Sequence, residues 1–179
     1  MTNKLTELLK NKPQNLLNIF FTAGYPQLED TTTLLTALEN ANVDLVEIGI
    51  PFSDPLADGP TIQESSKIAL ENGMSIEKLF SQLESHDIKV PVLLMGYLNP
   101  VMQYGLEAFC KRCQEVGVDG LIVPDLPLHI YQTEFKEIFE KYNISNIFLV
   151  TPHTSEKRIK EIDTNSNDLI GKDLPLNGR

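Results

Sequence analysis

The sequence predicts an α/β protein built on a parallel sheet. Short, almost wholly apolar runs recur along the chain, each followed by a polar loop and then by apolar residues at helical spacing. Strands that are apolar on both faces are covered on both faces, as in parallel sheets whose connections are helices. Each strand also ends in a loop bearing proline or glycine: AGYP, GIPFSDP, MGYLNP, VPDLP and VTPHT in turn. Loops at the C-terminal ends of parallel strands are where such folds keep their chemistry.

The elements follow in order. Leu5, Leu8 and Leu9 share one face of a short helix that ends near Pro13. LNIFFTAGYP (17–26) is the first strand and breaks at Gly24 and Pro26. Leu28 to Asn40 is helical, with Leu34, Leu35 and Leu38 facing a core and Asn42 near its end. VDLVEIGI (43–50) is the second strand, and DPLADGP (54–60) is a loop because its prolines and Gly59 exclude regular structure. Thr61 to Asn72 reads as a helix stopped by Gly73. Ser75 caps another, striped by Ile76, Leu79, Phe80 and Leu83. VPVLLMGYLNP (90–100) supplies the third strand and its loop. Leu106, Phe109, Cys113 and Val116 form the next helical face, ended by Gly117. VDGLIVPDLP (118–127) is the fourth strand and loop, and Tyr131, Phe135, Ile138 and Tyr142 face a core from the helix after it. NIFLVTPHT (146–154) is the fifth strand, and Ile159 and Ile162 mark a charged helix from about Ser155. No Gly-x-Gly-x-x-Gly follows the first strand, which disfavours a dinucleotide fold and favours a barrel, although five strands do not close an eight-stranded one.

After Asp163 the pattern stops. TNSNDLIGKDLPLNGR (164–179) is polar, and we expect an irregular or disordered tail behind a single domain of residues 1–163. The whole chain has 179 residues, 41% of them hydrophobic and 22% charged, an ordinary composition for one soluble domain. A net charge of -10 without a basic stripe argues against nucleic acid. The N-terminus does not resemble a signal peptide and no apolar run is long enough to span a membrane, so a cytoplasmic location and no membrane partner are expected. Cys110 and Cys113 have no second pair to complete a structural zinc site and are read as buried or half-buried helix residues.

The candidate chemistry centres on residues 43–63. Glu47 is the one charged side chain well inside the second strand, and a carboxylate there is costly unless paired, hydrogen-bonded or protonated. Alternation puts residues 43, 45, 47 and 49 on one face. An inward Glu47 near the strand's C-terminal end would have a raised pKa suited to acid/base work; the competing reading is a structural carboxylate held by backbone N–H groups or a nearby basic side chain. Asp54 and Asp58 stand four apart in the following loop, placed either to accept a substrate N–H or O–H or to cap the loop or the next helix. With Glu47 they also form a set that could hold magnesium. Phe20, Met95, Tyr97 and Ile122 near strand ends can line an apolar pocket or fill a core. Asn99 and Asp125 follow two strands at matching positions and can orient these loops. His86, His129 and His153 are dispersed and receive no role.

Five ordered segments carry a resemblance: FTAGYP (21–26), EIGIPFSDPLADGPTIQ (47–63), LMGYLNP (94–100), GLIVPDLP (120–127) and TPHTSEKRI (151–159). Up to about residue 163 the chain resembles the alpha chain of tryptophan synthase. The resemblance implies a (β/α)8 TIM barrel of which about the first five β/α units are present. It implies a lyase that cleaves indole-3-glycerol phosphate into indole and glyceraldehyde 3-phosphate by a retro-aldol route in tryptophan biosynthesis. Glu47 matches the family's catalytic glutamate, which is thought to take the glycerol hydroxyl proton and help protonate indole C3. Asp58 matches the aspartate that accepts the indole N–H. Phe20, Met95, Tyr97 and Ile122 match positions lining the indole pocket. Asp54, Pro55 and Leu56 match the loop facing the beta chain, the partner in an alpha2-beta2 assembly. The resemblance implies no cofactor on this chain; pyridoxal phosphate belongs to the beta chain. The family's sixth strand and its later phosphate-binding loops have no counterpart in TNSNDLIGKDLPLNGR, which resembles a truncated or frameshifted end. Weak or absent activity and low stability are expected from such a chain. Pattern alone also admits another βα-barrel lyase or isomerase acting on a sugar phosphate, and an inactive remnant that serves as an interaction module.

Overall fold

The computed structural model of the chain describes residues 3–55 and 58–165. The order is α1 (Lys4–Asn11), β1 (Asn18–Thr22), α2 (Asp30–Asn40), β2 (Leu45–Gly49), α3 (Pro60–Glu71), α4 (Ile76–Glu84), β3 (Val92–Met95), α5 (Leu98–Tyr104), α6 (Leu106–Glu115) and β4 (Gly120–Ile122). There follow α7 (Leu128–Ile130), a π-helical turn (Tyr131–Phe135), α8 (Lys136–Lys141), β5 (Ser145–Ile147) and α9 (Glu156–Asn165). Among the described residues the sheet has five strands in the order β1-β2-β3-β4-β5, every pair parallel. The expected parallel α/β architecture, five units of a (β/α)8 barrel, is the one observed.

A repeated stop signal ends four of the helices. After α2, α3, α6 and α8 stand Asn42, Gly73, Gly117 and Asn143, all with positive φ between 55 and 91°. The next residue donates its N–H back to a carbonyl five positions earlier: Val43 to Leu38, Met74 to Ala69, Val118 to Cys113 and Ile144 to Phe139. This is the Schellman closure, in which the returning residue is apolar and packs on the helix it leaves. All four returning residues are buried. Helix starts are as local: Ser75 Oγ accepts the Lys78 N–H before α4, and Asn3 Oδ1 accepts from Leu5 and Thr6 before α1.

The sheet separates two cores. Val46, Ile48, Val92, Leu94 and Leu121 face outward into the large cluster beneath the helices. Leu45, Leu93, Ile122 and Ile147 face inward, where Leu5 of α1 joins them and Leu8 and Leu9 pack alongside. The expected leucine face of the first helix thus covers the inner face of the sheet. Asn3 and Lys4 pin it there. Asn3 Nδ2 donates to the carbonyls of Asp119 and Asn143, and the Lys4 N–H donates to Asp119 Oδ1.

Several expectations need adjusting. Val43 precedes β2 and packs in the outer cluster, so the inward set is Leu45, Glu47 and Gly49. Residues 98–100, expected as loop, begin α5 because Asp125 Oδ1 receives the Leu98 N–H at 2.9 Å. Pro100 falls in the first turn, where its missing N–H costs nothing. β5 is Ser145–Ile147, shorter than the expected 146–154. The helix after β4 also buries Phe139, with the expected Ile138 and Tyr142 partly buried against the same cluster. The wide π turn brings Tyr131, Phe135 and Phe139 into one cluster of edge-on rings 5.8–5.9 Å apart. Cys110 and Cys113 are buried free thiols on α6, as expected. Burial pushes the Cys110 thiol up to about 12, with Glu107 adding to the effect. α9 continues through Asn165, and residues 166–179, most of the expected tail, lie outside the described ones. No helix among the described residues is long and apolar enough to cross a membrane.

Candidate active site

Register determines what meets at the C-terminal mouth of the sheet. Phe20 pairs with Glu47 and Glu47 with Leu93; one level up, Thr22 pairs with Gly49, Gly49 with Met95 and Met95 with Ile122. Side chains two apart share a face, so Asn18, Phe20, Thr22, Glu47, Met95 and Ile122 all belong to the inner face. An open cleft lies at the mouth, walled by Phe20, Thr22, Gly49, Asp58, Met95 and Tyr97 together with the first turns of α3. Gly49 makes room for it: a Cβ there would lie 2.7 Å from Phe20 Cζ.

Four of the residues expected at a site, Phe20, Asp58, Met95 and Tyr97, are brought together around this cleft. Asp58 comes from the loop before α3. Tyr97 Oη donates to its Oδ2 at 3.1 Å, and Gln63 Nε2 donates to its main-chain carbonyl at 2.8 Å. Asp58 does not cap the next helix, because α3 starts at Gly59 and Pro60 without a side-chain cap. Tyr97 is further fixed by Phe52, with ring centroids 5.1 Å apart. The mouth therefore offers a largely apolar cleft with one carboxylate on its wall, able to accept a hydrogen bond from an N–H or O–H.

Glu47 sits one step below this level, on the same face as Gly49 and beside Phe20. It is half-buried, and burial raises its carboxyl above the ordinary glutamate range. A hydrogen bond from Asn18 Nδ2 at 2.5 Å opposes that rise. The partner that holds Glu47 is the neutral side-chain amide of Asn18, not the backbone N–H groups or basic side chain expected of a structural carboxylate. The raised pKa suited to proton transfer is present as well, and the two coexist. Ile122 shares the level of Met95 but packs in the inner cluster beside Leu93 and Ile147. Asp54 is exposed and accepts from Ser53 Oγ; Pro55 is half-buried, and Leu56 lies outside the described residues. Among the described residues no three His, Cys, Asp or Glu side chains are grouped to hold a metal ion, so Glu47, Asp54 and Asp58 do not form the set weighed for magnesium.

Sequence reasoning passed over Asn18, Thr22 and the glycines of the mouth. Asn18 was within reach of the alternation argument, because it is the polar residue two before Phe20 on the same strand face. Thr22 Oγ1 and Ser65 Oγ are 2.8 Å apart, a contact between β1 and α3 that no local pattern announces.

The family model for the tryptophan synthase alpha chain matches residues 6–170. The tryptophan synthase alpha chain of Flavobacterium johnsoniae is 55% identical over 170 residues, 94% of this chain and 67% of that protein. The same protein of Bacteroides fragilis is 50% identical over 170 residues, 94% of this chain and 65% of that one. Among solved structures, tryptophan synthase subunit alpha from Legionella pneumophila superposes with a TM-score of 0.85 at 35% identity, covering 95% of this chain and 66% of that one. Mycobacterium tuberculosis tryptophan synthase gives a TM-score of 0.87 at 28% identity, over 95% and 67%. The chain thus spans about two thirds of the length of the relatives it matches.

Proposed function

This chain belongs to the tryptophan synthase alpha chain family, and from that premise we propose that it carries the proton-transfer and indole-binding part of the site for retro-aldol cleavage of indole-3-glycerol phosphate. One observation supports this most: Asp58, held by Tyr97, shares a single cleft with Phe20, Gly49 and Met95, and the half-buried Glu47 lies two residues before Gly49 on the same strand face.

The roles follow from chemistry. The indole ring enters the apolar slot between Phe20 and Met95, with Ile122 backing the inner face. Its N–H meets the Asp58 carboxylate, which offsets the positive charge that develops on the ring when C3 takes a proton. Glu47 in its protonated form gives C3 that proton and, then ionised, removes the glycerol hydroxyl proton, so that it ends the cycle protonated again. The C–O bond becomes the aldehyde carbonyl as the bond to indole C3 breaks, and its electron pair returns to the ring. The products are indole and glyceraldehyde 3-phosphate. A carboxyl raised by burial is suited to both giving and taking a proton near neutral pH. The exposed loop at Asp54 and Pro55, which continues into Leu56, is assigned to the beta chain of an alpha2-beta2 assembly, and pyridoxal phosphate is assigned to that partner. In this reading residues 1–163 are the barrel unit and 164–179 a divergent tail.

The test is indole release from indole-3-glycerol phosphate, with and without beta chain. Glu47→Gln is expected to abolish release while the far-UV spectrum stays unchanged. Retained release in E47Q would remove Glu47 from its role. Beta-chain binding without release by the unaltered chain would reduce the function to docking.

A further inference from the structure

One buried polar group beside the site is half used. Asn18 lies on β1 at the inner face, two residues before Phe20. Its Nδ2 donates to Glu47 Oε1 at 2.5 Å. Its Oδ1 is buried and has no hydrogen-bond partner among the described residues. A buried amide oxygen without a donor is costly, and such groups are rare. The same amide is also the one polar side chain placed on a carboxyl that the proposed reaction needs in two protonation states.

We propose that Asn18 is the positioning residue for Glu47, its amide holding the carboxyl at the inner face in both protonation states. With Glu47 ionised, Nδ2–H donates to the carboxylate, as observed. With Glu47 protonated, a half-turn of the amide presents Oδ1 to the carboxyl O–H. No proton leaves Asn18; the proton that moves belongs to Glu47 and the substrate. The bond to the charged form is the stronger of the two, since charge-assisted hydrogen bonds exceed neutral ones about twofold. Asn18 therefore favours the ionised form on balance, against the burial that disfavours it.

Beside burial, which has the larger effect, the Asn18 amide is the one hydrogen-bonding influence on Glu47 among the described residues. The inner positions around the pair are Phe20, Leu45, Gly49, Leu93 and Met95, none of them titratable. Titratable or charged groups on the elements packed there are Asp58 and Tyr97 at the mouth, Lys4, Glu7 and Lys10 on α1, and the Lys12–Asp44 pair below β1 and β2. Only burial and the Asn18 amide act appreciably on Glu47.

The proposal rests on the catalytic reading of Glu47, and the experiment separates the two. In the chain labelled at the glutamate carboxyl carbon, Glu47 is the resonance missing from E47Q, and its titration is followed by NMR. Asn18→Leu, close in size and unable to donate or accept, should lower the Glu47 ionisation constant about tenfold and move the acid limb of indole release the same way. Asn18→Ser, too short to span the gap, should act in the same direction and serves if the leucine variant misfolds. A purely structural Asn18 would change stability and leave the titration in place. An unmoved Glu47 midpoint in a folded variant overturns the proposal even if E47Q is dead. A moved midpoint with an active E47Q overturns the catalytic reading instead, and with it any part for Asn18 in the reaction.

Discussion

Asp119 stands immediately before β4 with 6% of its surface exposed, and its replacement by alanine puts a number on how the lower ends of the strands are held. Its Oδ1 accepts the Lys4 main-chain N–H at 2.8 Å, and its Oδ2 accepts the Val92 N–H at 3.0 Å. The Lys4 ammonium lies 3.5 Å from Oδ2. One carboxylate therefore joins α1, β3 and β4. Burial raises this carboxyl above its ordinary range, while the Lys4 charge and the two N–H bonds pull the other way. Asp119→Ala leaves the Val92 N–H buried without an acceptor, at a cost of about 1–3 kcal/mol. The Lys4 N–H, half-buried and partly reachable by water, adds about 1 kcal/mol. The ion pair adds only a few tenths of a kcal/mol, roughly, because Lys4 is partly in solvent. The expected loss is about 2–4 kcal/mol. Asp119→Asn retains one acceptor oxygen and should lose roughly half as much. Urea unfolding followed by far-UV circular dichroism reads this directly, as a lower midpoint at unchanged slope. An alanine variant within about 0.5 kcal/mol of the parent chain would refute the argument that this carboxylate fastens α1 to the sheet.

Three further outcomes are expected. Glu47 has a raised pKa in the fold, so its contribution to stability is fully present below the unfolded glutamate value and is lost as pH rises through the folded one; paired urea curves should show the parent chain losing stability relative to E47Q across that window, and parallel curves would contradict the raised value. Gly49→Ala places a Cβ 2.7 Å from Phe20 Cζ, so it should cost about 1–3 kcal/mol of stability or push the ring into the cleft and weaken indole binding in equilibrium dialysis; parent-like values of both would show that the mouth is looser than its geometry. Tyr97→Phe removes the donor to Asp58 Oδ2 and should raise KM for indole-3-glycerol phosphate several-fold, about 1 kcal/mol, with little change in melting temperature; an unchanged KM would mean that Asp58 needs no holding.

Much of the fold was legible because its signals are local. Apolar strand runs, Ser75 before α4 and the stop residues Asn42, Gly73 and Gly117 each act within a few residues of themselves. The misjudged elements depend on distant partners. α5 begins at Leu98 because Asp125, from the loop after β4, receives its N–H. Phe139 joins Ile138 against the core because a π turn shifts the helical phase. The cleft divides the same way. Asp58 and Tyr97 were each visible as polar or aromatic residues near strand ends, but their hydrogen bond spans 39 residues of chain.

The sequence by itself determined that Glu47 lies in an apolar strand with Asp58 in the loop beyond it, because hydrophobic period and proline and glycine positions are properties of neighbouring residues. Its resemblance to a known family supplied their chemical roles. Only the tertiary structure decided which groups meet. Parallel register set Glu47 beside Phe20, placed Asn18 against its carboxyl and put Tyr97 on Asp58. Strand register depends on the packing of both faces at once, so no stretch of chain can specify it alone.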